Sequence, residues 1–106
     1  MSEVEGSGLP AASIKAIQQV LHHYPGIRQA ILYGSRAKGN FRPGSDIDLT
    51  LQGNLTYQQL LRIETELDDL LLPYKIDLSL YELLDNPALI EHIERVGKLF
   101  YTASDS

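Results

Sequence analysis

Two aspartates separated by one residue, Asp46 and Asp48, are the part of the sequence best suited to chemistry. Polar and apolar residues alternate over residues 46–52, which predicts a β-strand with one buried face. Side chains two positions apart on a strand leave the same face, so we expect the two carboxylates to lie together. Their repulsion favours binding of divalent cations. For this pair alone, a solvated polar strand face is the more common explanation.

A third carboxylate, Asp77, lies in a later segment, residues 75–80, which alternates in the same way. If the two predicted strands are neighbours, Asp77 converges with Asp46 and Asp48. Mg²⁺ prefers oxygen ligands, and three carboxylates are enough to hold two ions for in-line phosphoryl chemistry. We therefore predict a site for two Mg²⁺ ions on these three residues, with Mn²⁺ as the alternative metal.

A glycine and a serine, Gly34 and Ser35, directly follow an apolar run over residues 27–33. Glycine allows the backbone to turn sharply and approach a ligand closely. A serine at the start of a helical turn can cap it, and backbone N–H groups there favour phosphate. Basic residues nearby would add positive charge around a triphosphate; they are Arg36, Lys38 and Arg42. Taken alone, the pair is better explained by an ordinary strand-to-turn glycine beside solvated basic residues.

The combined pattern is far more specific than either part. The run GSRAKG at residues 34–39, followed after five residues by SDIDL at residues 45–49, resembles the signature of the DNA polymerase β-like nucleotidyltransferase superfamily. It is most similar to the minimal nucleotidyltransferase (MNT) branch, which includes MntA-type antitoxins. The order of the predicted elements over residues 10–101 also resembles that fold.

The resemblance implies a role for each residue that matches the motif. The turn would hold the triphosphate of a nucleotide, and its predicted contacts are Gly34, Ser35, Arg36, Lys38 and Ser45. The carboxylates would serve as metal ligands and catalytic residues. Asp46 and Asp48 would bind both metal ions, whereas Asp77 would bind the catalytic metal and help to deprotonate the attacking hydroxyl. An acceptor hydroxyl would attack the α-phosphate, and pyrophosphate would leave.

The elements that must position these residues follow from hydrophobic periodicity. Helical spacing covers residues 10–24, 55–72 and 86–97, and strands are predicted over residues 27–33, 46–52 and 75–80, with a short closing strand at residues 98–101. Because each strand has one apolar face, we predict an α+β fold. A small mixed sheet of three to four strands would carry helices on one face, and the carboxylates would occupy the other.

Length and composition limit the class of protein. The 106 residues are enough for one domain, which we place at residues 10–101, after a disordered lead at residues 1–9 and before a tail at residues 102–106. The net charge of -5 argues against direct nucleic-acid binding. The chain lacks a signal peptide and an apolar run near the ~20 residues of a membrane span, so we expect a cytoplasmic protein.

The acceptor is the open question, because no region looks able to bind one by itself. The resemblance suggests a partner of the HEPN class, a helical RNase toxin, which an antitoxin of this kind would modify by transferring AMP from ATP to a tyrosine. A second hypothesis is a non-catalytic binding module that neutralises a partner by steric blocking. A third is a nucleotide-binding subunit of a larger transferase, including a homo-oligomer with an acceptor site at its interface.

Overall fold

The computed structural model describes residues 6–103, in which four strands form a single sheet of order β3-β2-β1-β4. The strands are β1 (Ile27–Tyr33), β2 (Ile47–Gly53), β3 (Ile76–Leu80) and β4 (Lys98–Thr102). The helices are α1 (Ala11–His22), the single turn α2 (Ser35–Lys38), α3 (Tyr57–Asp68) and α4 (Pro87–Val96), and a 3₁₀ turn covers Tyr81–Leu83. The predicted order of elements and the closing strand are confirmed.

Local sequence signals determine where two of the helices begin. At the start of α3, the Thr56 hydroxyl accepts a hydrogen bond from the Gln59 N–H at 3.1 Å, and the Gln59 side chain accepts one from the Thr56 N–H at 2.9 Å. The two bonds form a capping box, which is a local sequence signal for the start of a helix. The side chain of Asn86 accepts from the first backbone N–H groups of α4, and Pro87 occupies the first helical position.

The register of the sheet decides which side chains share a face. β1 pairs with β2 and with β4 in antiparallel orientation, whereas β2 and β3 run parallel with Asp48 directly beside Asp77. Tyr33, at the end of β1, lies opposite Asp48. Directly opposed residues in a sheet point to the same side. The polar residues of the three strands therefore form one surface.

The hydrophobic core lies on the other face of the sheet, under α1 and α3. Its fully buried members come from both helices and from the alternate positions of the strands, and include Ile17, Leu21, Ala30, Leu32, Ile47, Leu49, Leu51 and Ile63. Burial of this apolar area is the main favourable term in folding. The predicted fold class, α+β with a mixed four-stranded sheet, is confirmed.

Helix α4 does not join the others on the apolar face, where we expected all the helices. It contacts β1 from the carboxylate side. A Cβ added to Gly97 would lie 2.6 Å from Ile31 Cγ2, and Ile31 shares its face with the polar residues of β2. The reason is that Ile31 is an apolar residue on the otherwise polar face, and the apolar stripe of α4, with Ile93 buried, covers it.

The ends of the domain differ from the predicted boundaries. Residues 1–5 of the predicted lead and residues 104–106 of the predicted tail lie outside the described residues. Ser7 and Leu9 are buried, and Leu9 belongs to the core, so ordered structure begins before residue 10. Thr102 is the last residue of β4. Within residues 6–103, no helix has the length and apolar character needed to cross a membrane.

Candidate active site

The three candidate carboxylates lie at one end of the β2–β3 pair. Asp48 and Asp77 are register partners on neighbouring parallel strands, and Asp46 precedes β2 by one residue. Asp48 is partly buried, whereas Asp46 and Asp77 are exposed. The structure therefore places Asp77 beside Asp48, the arrangement required for the three carboxylates to act together.

Electrostatic repulsion is concentrated on Asp48. Burial, the charges of Asp77 and Asp46, and a hydrogen bond to Asp77 together raise the pKa of Asp48 to about 6. Lys75 offsets little of this, because its ammonium is exposed and lies 3.9 Å from Asp77 Oδ1. A cation placed among these carboxylates would be strongly favoured.

The chemistry of these donors fits a hard divalent cation. All three side chains offer carboxylate oxygens, which Mg²⁺ prefers, and no thiolate or imidazole competes in the set. In the described part of the chain, no group of three or more acidic, histidine or cysteine side chains is placed so that it could hold a metal ion. Mg²⁺ usually takes one or two protein carboxylates and fills its remaining positions with water and substrate phosphates, so a bound nucleotide would have to complete the site.

The glycine turn lies directly against Asp48. Gly34 has φ 74° and ψ -157°, and a Cβ at this position would collide with Asp48 Oδ2. The Gly34 carbonyl accepts hydrogen bonds from the Ala37 and Lys38 N–H groups at 3.1 and 3.0 Å, which closes α2 as one tight turn. Only glycine fits both the backbone conformation and the space. Ser35, the residue that follows, is therefore presented beside the carboxylates.

The turn keeps hydrogen-bonding capacity for a ligand. Among the hydrogen bonds of residues 6–103, the N–H groups of Ser35 and Arg36 donate to no other residue. Lys38, at the end of the turn, is exposed. Backbone donors and an ammonium group are both suited to phosphate oxygens.

The side chain of Arg36 has a different role from the one that we predicted for it. Arg36 is 3% exposed, and its guanidinium donates to the carbonyls of Ser45 at 3.1 Å and Ser7 at 2.9 Å. It also contacts the faces of Phe41 and Tyr74, 5.1 and 4.9 Å from their ring centres. A buried guanidinium must pair its donors within the protein. The side chain therefore holds the loop together and is not free to reach a triphosphate.

Ser45 supports the same loop. Its carbonyl accepts from Arg36, and its hydroxyl accepts from the Arg42 N–H at 2.8 Å. These bonds hold the chain just before Asp46. A role for Ser45 in nucleotide binding remains a prediction, and its observed role is to fix the approach to β2.

One residue close to the site was not singled out by the sequence. The Gly34 N–H donates to Nε2 of His92 on α4 at 3.1 Å, and the His92 ring meets the Tyr33 ring edge-on with centres 6.1 Å apart. Burial and the charges of Asp48 and Asp77 raise the pKa of Tyr33. No motif marks His92, because its partner is 58 positions away in the chain.

A groove elsewhere on the surface contains none of the candidate residues. It has a volume of about 860 Å³ and lies between α1 and β4. Its lining includes Gln18, Val20, Leu70 and Phe100. The carboxylates instead lie at one end of β2 and β3, where Asp46 and Asp77 are exposed.

Comparison with known proteins shows which family model the chain matches. The family model described as polymerase beta, nucleotidyltransferase, matches residues 15–106. This range includes the glycine turn and all three carboxylates. No curated protein sequence matches the chain.

Solved structures share the fold at low sequence identity. A toxin–antitoxin structure with AMP-PNP has a TM-score of 0.69 at 20% identity, covering 86% of this chain and 74% of that one. A tri-AMPylated Shewanella oneidensis HEPN toxin in complex with an MNT antitoxin has a TM-score of 0.65 at 18% identity, covering 87% and 71%. A MntA–HepT toxin–antitoxin structure has a TM-score of 0.65 at 18% identity, covering 89% and 74%. At these identities the matches establish the fold.

Proposed function

The chain belongs to the polymerase beta nucleotidyltransferase family, and from this premise we propose that it transfers a nucleoside monophosphate, AMP from ATP, to an acceptor hydroxyl. The observation that carries the proposal is the register of the sheet. Parallel pairing puts Asp77 beside Asp48, and Asp46 lies two residues before Asp48. The Gly34 turn lies against Asp48. The predicted phosphate-binding turn is therefore adjacent to one of the predicted metal ligands.

Each residue contributes a distinct part of the reaction. Asp46 and Asp48 would hold two Mg²⁺ ions, which supply charge neutralisation of the phosphates and activation of the hydroxyl when bound. The backbone N–H groups and the hydroxyl at Ser35 orient the triphosphate. Asp77 is both a metal ligand and the group that receives the proton of the acceptor hydroxyl.

The proposed step forms one bond to phosphorus and breaks another. The acceptor oxygen forms a bond to the α-phosphorus of ATP. The bond from that phosphorus to the oxygen bridging it to the β-phosphate breaks, and pyrophosphate leaves with the electron pair. The proton of the hydroxyl passes to Asp77. Alignment of the acceptor and the leaving group by the chain's own residues supplies a large part of the rate.

We propose further that the acceptor is a tyrosine of a HEPN-class toxin and that the chain acts as its antitoxin. Three similar structures are toxin–antitoxin complexes, and one of them contains an AMPylated HEPN toxin. The exposure of Asp46 and Asp77 supports an acceptor that arrives on another protein. An open site of this kind leaves room for a protein side chain that extends into it.

Transfer of labelled AMP tests the proposal. The chain, a HEPN-class partner that binds it and α-labelled ATP are incubated with Mg²⁺. We expect label on the partner, none with the Asp46→Asn/Asp48→Asn variant, and none when the acceptor tyrosine is replaced by phenylalanine. Asp85→Asn is the matched control, because this exposed loop residue lies outside the carboxylate set.

The same experiment separates transfer from steric blocking. If the double variant still binds and neutralises the toxin while nothing is labelled in the wild-type reaction, the chain is a binding module and the catalytic proposal is wrong. If neutralisation requires the carboxylates and accompanies labelling, transfer is the mechanism.

A further inference from the structure

We propose that His92 is the positioning residue of the nucleotide turn, and that its Nε2 holds the Gly34 N–H so that the turn receives the triphosphate in a fixed orientation. The inference rests on the proposed function, because it assigns a role within that site. It concerns a residue of α4, an element that contains none of the three candidate carboxylates and no residue of the motif. The observations that lead to it are a hydrogen bond, a backbone conformation and the packing of α4.

The backbone of Gly34 is held through both its N–H and its carbonyl. Its carbonyl accepts hydrogen bonds from the Ala37 and Lys38 N–H groups. Its N–H donates to His92 Nε2 at 3.1 Å. Gly34 has φ 74°, a conformation that glycine enters and leaves easily. External contacts must therefore select this conformation, and the His92 bond is the one that comes from outside the turn.

The imidazole of His92 is itself fixed by packing. Its ring contacts Tyr33 edge-on at an interplanar angle of 81°. One residue further along α4, Ile93 is 4% exposed, and Gly97 brings the end of the helix against Ile31 of β1. A ring placed by a packed helix can hold a mobile glycine, whereas a freely rotating side chain could not.

The direction of the bond determines the state of the imidazole. A backbone N–H only donates, so Nε2 must offer a lone pair, and the proton of the neutral ring is then on Nδ1. The bond also occupies the Gly34 N–H. This group is therefore not a phosphate ligand, and the contacts that remain for the triphosphate begin at Ser35. His92 thus determines which backbone groups face the nucleotide.

The test compares two substitutions that differ in one property. His92→Gln keeps an acceptor that can reach the Gly34 N–H, whereas His92→Phe keeps a ring against Tyr33 and removes the acceptor. Glu91→Gln is the control, since Glu91 is an exposed neighbour on the same helix. If His92→Phe does not fold, as judged by circular dichroism, His92→Leu replaces it.

Two readouts are taken for each variant. Calorimetry with ATP and Mg²⁺ measures the Kd, and NMR measures hydrogen exchange at the Gly34 amide without nucleotide. We expect the Kd of His92→Phe to rise about five- to tenfold, the effect of losing one hydrogen bond, and Gly34 exchange to become faster. His92→Gln and Glu91→Gln should remain close to the wild type in both readouts.

The outcomes separate this inference from the proposed function. If the wild type binds ATP and His92→Phe binds it equally well with unchanged Gly34 exchange, the inference is overturned and the proposed function stands. If His92→Gln loses affinity as much as His92→Phe does, the acceptor is not what matters and the inference is again overturned. If the folded wild type does not bind ATP, the proposed function fails and the assignment of His92 to it fails as well.

Discussion

At Asp48, the ionised carboxylate that the proposed chemistry requires lowers the stability of the fold. Its pKa is raised from 3.8 to about 6 by burial and by the neighbouring carboxylates. The folded state therefore binds a proton more tightly than the unfolded state does. The associated stabilisation is present below pH about 4 and is lost as the pH rises through about 6. At neutral pH, ionisation of Asp48 therefore lowers the free energy of unfolding of the metal-free protein.

Replacing Asp48 by asparagine should therefore stabilise the metal-free protein. At pH 7.5 with chelator, we expect Asp48→Asn to raise the free energy of unfolding by about 1 kcal/mol, a value kept small because solvent screens part of the repulsion. Urea denaturation followed by circular dichroism measures the difference. The same variant should lose Mg²⁺-dependent ATP binding.

The pH dependence provides the control for this prediction. The difference between Asp48→Asn and the wild type should shrink as the pH falls towards about 4, where both side chains are neutral. Asp85→Asn removes one charge from an exposed loop and should show no such trend. A constant difference across this range, or a less stable variant at pH 7.5, would contradict the account of Asp48.

The prediction that Asp46 and Asp48 act together depends on a local signal, and their role as metal ligands stays a prediction. Asp46 and Asp48 lie two apart in the chain, and strand geometry alone places them together. Arg36 was assigned to the triphosphate because it is basic and adjacent to the glycine turn. Its burial depends on Phe41, Tyr74 and the carbonyl of Ser7, which no spacing rule connects to it. A charge next to a motif does not show which way its side chain points.

At the level of elements, the parallel pairing of β2 with β3 creates the site. Helix α3 connects these strands and packs on the apolar face, opposite the face that carries Asp48 and Asp77. Helix α4 covers the carboxylate side of β1 and reaches the glycine turn through His92. The packing of α4 against β1 should therefore affect both the stability of the fold and nucleotide binding.

A substitution at Gly97 tests this packing, because Gly97 lies where α4 meets β1. A Cβ at Gly97 would collide with the Ile93 carbonyl and would lie 2.6 Å from Ile31 Cγ2, whereas Gly44 has open space around its Cβ position. We expect Gly97→Ala to lower the free energy of unfolding by about 2 kcal/mol through overpacking, and Gly44→Ala to change it little. Urea denaturation of the two variants measures the effect. Equal stabilities would show that α4 is not held at this point.

The sequence predicts the helices and strands better than it predicts how they pack against one another. Hydrophobic periodicity identified the strands and the three long helices, because periodicity is local. The structure adds local capping signals at Thr56 and Asn86. The face chosen by α4 was missed, since it depends on Ile31, one apolar residue on a polar face. Packing of Leu9 into the core was missed too, because a short segment rich in small and acidic residues resembles a disordered lead.

At the scale of the whole molecule, the chain is a small acidic domain with the three candidate carboxylates grouped on one face of the sheet. The net charge is -5, and the family is that of the polymerase beta nucleotidyltransferases. The apolar face stabilises the fold, and the other face holds the repulsive cluster that a metal-bound nucleotide would neutralise. A partner that supplies the acceptor would complete the site from outside the sheet.

The most direct test of this account is calorimetric titration of ATP into the wild type and into Asp46→Asn/Asp48→Asn, each with Mg²⁺ and then with excess chelator. We predict that the wild type binds ATP only with Mg²⁺ and that the double variant, folded by circular dichroism, does not bind it. Absence of binding to a folded wild type, or binding that survives both the chelator and the double substitution, would contradict the claim that these carboxylates form a metal-dependent nucleotide site.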